Sequence, residues 1–140
     1  MVDVNLLIYA YNPAAEQHAP AAGWLRKMFS QQEAIGLSWL TIWAFLRITT
    51  NTRLWRRPVS ADDALDRITE WLKQPNVIIV EPGNRHFSIL KSIIGSGRFL
   101  GTVITDAALA AIAIEHAATL ASSDSDFRKF SGLRWINPLE

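Results

Sequence analysis

Val103-Ile104-Thr105-Asp106, an alanine-rich run to about Ala117, then Thr119-Leu120-Ala121-Ser122 and Ser123-Asp124-Ser125-Asp126-Phe127: the fold turns on this stretch. Thr105-Asp106 reads as the start of an apolar helix, the segment from Thr119 as a short strand, and the Ser/Asp run as a loop at that strand's carboxyl end. The same alternation continues toward the N-terminus. Residues 84–94 read as a helix followed by a Gly95-Ser96-Gly97 loop. Val77-Ile78-Ile79-Val80 is a continuous apolar run, as expected of a parallel strand covered on both faces. Ser60 with Asp62 and Asp63 opens a helix carrying Ala64, Leu65, Ile68, Trp71 and Leu72, which Pro75 stops. The two acids suit the positive end of its dipole. Ser38 is a good N-cap for a helix from Trp39 to about Thr50, just after a strand candidate at Ala34-Ile35-Gly36-Leu37. Residues 16–29 have helical periodicity, with Ala19, Ala22, Leu25 and Phe29 near one face. The first residues read as a short buried strand that breaks near Asp3 into a helical turn, halted at Asn12-Pro13. Residues 133–136 form a last strand candidate, and Pro138 closes the chain. Strands alternating with helices predict one α/β domain over residues 1–140 with a mainly parallel sheet of four to five strands.

Composition agrees with a packed core. The sequence has 140 residues, 49% of them hydrophobic and 19% charged, which is globular rather than disordered. A domain of this size buries roughly two-thirds of its unfolded surface and needs no staple. It contains no cysteine, which excludes disulfides, thiolate zinc sites and cysteine nucleophiles. No apolar run approaches the ~20 residues needed to span a bilayer, and the N-terminus lacks the pattern of a secretory leader. The expectation is a soluble cytoplasmic protein with no membrane association. Net charge is only +1. Arg47, Arg53, Arg56 and Arg57 nevertheless cluster, either to follow a phosphate backbone or as a solvated basic turn.

The acids carry the chemistry. Asp3 lies in an apolar strand, where an unpaired carboxylate costs several kcal/mol to bury. It is either a metal ligand or an N-cap for the next turn. Asp106 opens an almost wholly apolar helix and is either a metal ligand or an N-cap or first-turn acid of that helix. Asp124 and Asp126 form either an ordinary Asx turn or a third acidic group. In parallel α/β sheets ligands bind beyond the carboxyl ends of the strands, and Asp3 and Asp124 both fall there. Several carboxylates at one sheet edge, with no cysteine and no paired histidines, favour Mg²⁺ or Mn²⁺ over zinc. The reaction such an ion serves is phosphodiester hydrolysis.

Read together, Asp3 through Ala10, Leu37-Ser38-Trp39-Leu40, Ala44-Phe45-Leu46-Arg47, Val103 through Ala107, Ala113-Ile114-Glu115-His116, Ser123 through Phe127 and Gly132-Leu133-Arg134-Trp135 resemble, in order, the PIN-domain family. Within it the sequence resembles in particular the VapC ribonuclease toxins of type II toxin–antitoxin modules. It spans nearly the whole chain. It implies a three-layer α/β/α sandwich, Mg²⁺ or Mn²⁺ dependence, endonucleolytic cleavage of RNA, a homodimer and neutralisation by a cognate antitoxin. It implies metal ligands at Asp3, Asp106 and Asp124, with Asp126 as a secondary or water-mediated ligand. Ser122 matches a frequent threonine and Asn5 lies nearby. With Arg47, these two are candidates for contact with RNA. Many family members carry a glutamate where this sequence has Ala44. A site short of one carboxylate leaves a second reading open, a weakened PIN-fold module that binds antitoxin or RNA without turnover.

Other residues carry less. Glu115 lies nine positions after Asp106, roughly on the opposite helix face, so a structural or interface role fits it better than ligation. His18, His86 and His116 are scattered and suggest packing or surface roles. Trp24 and Trp71 fall on apolar helix faces. Trp39, Trp43 and Trp55 are candidates for a protein interface, where tryptophan is enriched.

Overall fold

Residues 1–3 become the middle of the sheet. The Val2 N–H donates to the Gly36 carbonyl at 3.1 Å, and the Asp3 N–H to the Ala121 carbonyl at 3.0 Å. Val2 and Ala121 form a parallel bridge. This segment joins two parallel pairs. On one side are β1 (Ile35–Leu37) and β2 (Val77–Ile79), in the register Gly36 to Ile78. On the other are β3 (Thr119–Ala121) and β4 (Arg134–Ile136), in the register Leu120 to Trp135. The computed structural model describes residues 1–55, 57–95, 97, 99 and 101–140. Arg56 of the basic cluster and Ser96 of the expected loop lie outside them. Among the described residues no helix is long and apolar enough to cross a membrane.

Successive strand residues point to opposite faces, and β3 shows the layers this creates. Ala121 belongs to a core with Leu6, Leu7, Leu25, Phe45 and Trp71. These come from α1 (Val4–Tyr11), α2 (His18–Phe29), α3 (Trp39–Thr49) and α4 (Ala61–Leu72). Its neighbour Leu120 packs with Ile93, Ala110, Phe127 and Phe130, under α5 (His86–Gly95) and α6 (Val103–Glu115). The result is the expected α/β/α arrangement. At Gly36 a Cβ would sit 2.7 Å from Val80 Cγ2 and 2.9 Å from Met1 Cγ, so glycine is what lets residues 1–3 lie against β1.

Several local expectations change. The segment at Val77 is not covered on both faces, because β2 is the outer strand and Ile78 is 51% exposed. The first helical turn is an eight-residue helix capped by Asp3. α2 starts at His18, with Pro20 in its first turn, where a missing N–H costs nothing. Ala21 and Leu25 are its buried residues, not Ala19. On α4, Leu65 and Leu72 stay exposed while Ala64, Ile68 and Trp71 are buried. The Ser/Asp loop winds into a 3₁₀ helix, η1 (Ser125–Lys129).

α6 begins at Val103, earlier than the expected start at Thr105, so of the two structural readings Asp106 takes that of a first-turn acid. It ends before Ala117, which takes φ 50°. The Ala118 N–H reaches the Ala113 carbonyl at 2.8 Å and the Ala117 N–H the Ile114 carbonyl at 3.1 Å. This is a Schellman cap with alanine where glycine is preferred. Ala117→Gly should therefore raise stability by about 1 kcal/mol, since a left-handed L-residue costs roughly that much. A denaturant midpoint that falls instead would show that the methyl contributes more than it strains.

Candidate active site

Ser122 is the hub of the site. Its side chain is fully buried. Its hydroxyl donates to Asp3 Oδ2 at 2.7 Å. It accepts from Asn5 Nδ2 at 3.0 Å and from the Asp124 N–H at 3.0 Å. One donor and two acceptor positions are all a hydroxyl has. Ser122 thus fixes Asp3, Asn5 and Asp124 relative to one another and has no surface or free bonding capacity to offer RNA directly. Because its only proton goes to Asp3, the Asn5 side chain must present its NH₂ to it. That leaves Asn5 Oδ1 buried without a partner.

Asp3 answers both sequence readings at once. It caps α1, its Oδ1 accepting from the Val4 N–H at 2.7 Å. It also faces a cleft of about 200 Å³ lined by Thr41, Ala44, Arg47, Thr105 and Asp106 among others. Burial pushes the Asp3 carboxyl above its usual range. The bonds from Ser122 and Val4 oppose this, while the nearby charges of Asp106 and Asp124 add to it. Asp106 is pushed up as well, first by burial, then by Asp124 and Asp126, against the opposing charge of Lys129. Asp124 caps η1 at the surface, accepting from the Asp126 N–H at 2.8 Å. Asp126 is exposed and pairs with Lys129 Nζ at 3.2 Å.

The fold therefore gathers acids from both ends of the chain within electrostatic reach of one another. They are not a finished cage. Among the described residues no three acidic or histidine side chains stand close enough to hold one ion. The donors still suit a hard cation. Asp3 and Asp106 face the same cleft, each carboxylate oxygen has more than one lone pair, and Mg²⁺ commonly takes one or two carboxylates and keeps its waters.

Ala44 lines this cleft with Asp3 and Asp106, so the position at which the family resemblance leads to the expectation of a glutamate faces the site. Arg47, one turn later, lines it too and is exposed. Glu115 is elsewhere. It binds the Gly83 and Arg85 N–H groups at 2.8 and 2.9 Å, and these backbone bonds hold its carboxyl below the usual range. His116 Nε2 lies 2.7 Å from the Glu81 carbonyl and His18 Nδ1 2.9 Å from that of Tyr9, both structural contacts. Trp71 is buried and Trp24 half-buried. Trp39 and Trp43 stack with ring centroids 6.4 Å apart and are 39% and 60% exposed. Sequence reasoning missed two participants. Thr41 lies under the cleft, its hydroxyl donating to the Val2 carbonyl at 3.2 Å. Lys129 was hidden because its segment reads as a loop, and its pairing with Asp126 needs that segment to wind into a helical turn.

The sequence matches the PIN domain over residues 1–133. It is similar to ribonuclease VapC37 of Mycobacterium tuberculosis, 38% identical, covering 99% of this chain and 96% of that one. It is also similar to ribonuclease VapC33 of the same organism, 37% identical, covering 98% and 96%. Among solved structures it superposes on VapBC-1 from nontypeable Haemophilus influenzae with a TM-score of 0.71 at 15% identity, covering 100% and 98%. VapBC2 from Rickettsia felis, bound to a DNA fragment from its promoter, gives 0.68 at 15% identity, covering 98% and 96%.

Proposed function

The chain belongs to the PIN-domain family, among its VapC ribonucleases, and from that premise we propose that it is a divalent-metal-dependent endoribonuclease toxin. One observation carries this reading. Asp3 and Asp106, far apart in the sequence, face one cleft; burial raises the affinity of both for a proton, and the charges of Asp106 and Asp124 add to this at Asp3 as that of Asp124 does at Asp106. Mutually repelling carboxylates at a solvent-open cleft are what a cation would relieve.

Asp3 and Asp106 would hold Mg²⁺ or Mn²⁺, with Asp124 at the rim and Asp126 orienting water. The ion, when bound, supplies Lewis acidity toward the phosphoryl oxygens and acidifies the attacking water. Ser122 keeps the Asp3 carboxylate from turning away, and Asn5 braces Ser122 in turn. Arg47, at the end of α3 beside the cleft, neutralises a phosphate of the RNA and orients it for in-line attack. We assign neutralisation to a cognate antitoxin, seated in the groove of about 520 Å³ bordered by Tyr11, Leu25, Phe29, Arg67 and Trp71. The exposed Trp39 and Trp43 pair suits a homodimer contact.

The deciding experiment is RNA cleavage under metal titration. Purified protein should be silent in EDTA and gain cleavage with added Mg²⁺ or Mn²⁺, with no requirement for zinc. Undiminished cleavage in EDTA would remove the metal from the mechanism. No cleavage at any metal concentration, with RNA binding intact, would favour the second reading. Ala44 in the cleft wall is the observation behind that reading, a PIN-fold module that binds antitoxin or RNA without turnover.

A further inference from the structure

A cleft rimmed by carboxylates repels the phosphate it must hold, so cations beside it matter as much as the acids. In a 3₁₀ helix residues i and i+3 eclipse, and η1 with its C-cap Phe130 sends two such pairs to opposite sides. Phe127 and Phe130 turn inward, meeting edge to face with ring centroids 5.9 Å apart. Asp126 and Lys129 stack outward, Nζ to Oδ2 at 3.2 Å. The Lys129 ammonium also lies 5.9 Å from the centre of the Phe99 ring and 5.7 Å from that of Phe130.

We propose that Lys129 is a phosphate-binding residue of this site, holding the RNA backbone beside the acids. The assignment rests on the ribonuclease reading above. A surface lysine ordinarily spreads its charge over many rotamers. Here two aromatic faces and one carboxylate fix the ammonium before any ligand arrives. An ammonium has three N–H donors. Asp126 occupies one, and the side chain is 31% exposed, so donors remain for a phosphate oxygen. The charge lies in the field of the acids, since Lys129 acts directly on Asp106. The adjacent Arg128 is turned elsewhere, its guanidinium 4.8 Å from the centre of the Trp135 ring and 3.9 Å from Glu140. Two neighbouring cations of equal charge thus face different surroundings.

That contrast gives the test. A fluorescein-labelled single-stranded RNA is titrated with wild type, Lys129→Met, Lys129→Arg and Arg128→Met in EDTA, at several salt concentrations, with fluorescence anisotropy as the readout. Lys129→Met should bind about tenfold more weakly at low salt, with a log–log salt slope shallower by about 0.7, one phosphate contact on a single strand. Lys129→Arg should keep the wild-type slope, and so should Arg128→Met. A wild-type slope in Lys129→Met would overturn the assignment, as would equal losses in Lys129→Met and Arg128→Met. Wild type that binds no RNA would sink it as well. Wild type that binds with the expected slope yet never cleaves with Mg²⁺ would end the ribonuclease reading while leaving Lys129 as a phosphate contact.

Discussion

Asp3→Asn is expected to lower RNA cleavage by roughly 10³-fold and to abolish growth inhibition while leaving the protein at least as stable as wild type. The two halves come from one environment. The carboxylate is almost fully buried, next to Asp106 and Asp124, and its affinity for a proton is raised. Losing a charged ligand costs several kcal/mol of stabilisation of the ion and of the phosphoryl charge, and each 1.36 kcal/mol is tenfold in rate. The amide keeps the shape and its oxygen can still accept from the Val4 N–H, so the cap of α1 survives. What changes is Ser122, whose proton loses its acceptor, a cost of about 1 kcal/mol. Removing a buried charge that two neighbours repel offsets it.

The pH dependence gives the same experiment a second readout. An acid whose folded-state pKa is raised binds more protons folded than unfolded between the two values. Stability therefore falls as pH rises through that window. In metal-free wild type the Asp3 and Asp106 carboxyls should contribute a gain in stability on acidification from neutrality, full below the ordinary aspartate range, against the Met1 ammonium and the Glu115 carboxyl, whose lowered proton affinities work in the opposite sense. Asp3→Asn should flatten that gain, leaving the part due to Asp106. Added Mn²⁺ should oppose the trend, raising Tm at neutral pH and losing effect as protons compete for Asp3 and Asp106. Calorimetry across pH, with and without Mn²⁺, measures all three. Full cleavage by Asp3→Asn would remove the proposed mechanism. A pH profile identical to wild type would show that Asp3 does not carry the charge assigned to it.

How much of this was legible in the sequence depends on the range of the forces involved. Ser38 and Ser60 announce their helices because a cap is a local bond, and both accept from the N–H three residues on. The alternation of strand and helix was equally local. Ile78 was misjudged because an apolar run states that a strand is hydrophobic and not which neighbour is absent. Asp3 could not be resolved into cap or ligand, since its environment depends on Ser122, 119 positions away. Ser122 entered as a candidate RNA contact only through the family resemblance, which gives a residue type and not its burial. Only the arrival of Asn5 and Asp3 beneath it turns it into a bracket. Lys129 was missed because Ser-Asp-Phe-Arg-Lys reads as a loop, and the pair with Asp126 three residues back forms only once that loop winds into a helical turn.

Ala44→Glu is expected to tighten Mn²⁺ binding by about tenfold or more and to raise cleavage with it, because an added carboxylate increases the ligand charge that tunes affinity for hard cations. The residue lines the same cleft as Asp3 and Asp106, so the new group need not travel. Without metal the substitution should cost stability, since a further negative charge joins carboxylates already holding their protons too tightly. That destabilisation and its reversal by Mn²⁺ belong to one prediction and should appear together in thermal melts. Arg47 is the competitor. It stands three residues along the same helix face, close enough for an i,i+3 pair with the introduced side chain. If that pair wins, apo stability holds, metal affinity does not move, and cleavage falls as Arg47 is drawn off the phosphate. A large gain from a wild type that does not cleave would identify this chain as a disabled nuclease. A modest gain over an active wild type would show that Asp3, Asp106 and their neighbours suffice without a fourth wall. No change in Mn²⁺ affinity with apo stability lowered would mean that the ion does not sit where Asp3 and Asp106 share the cleft.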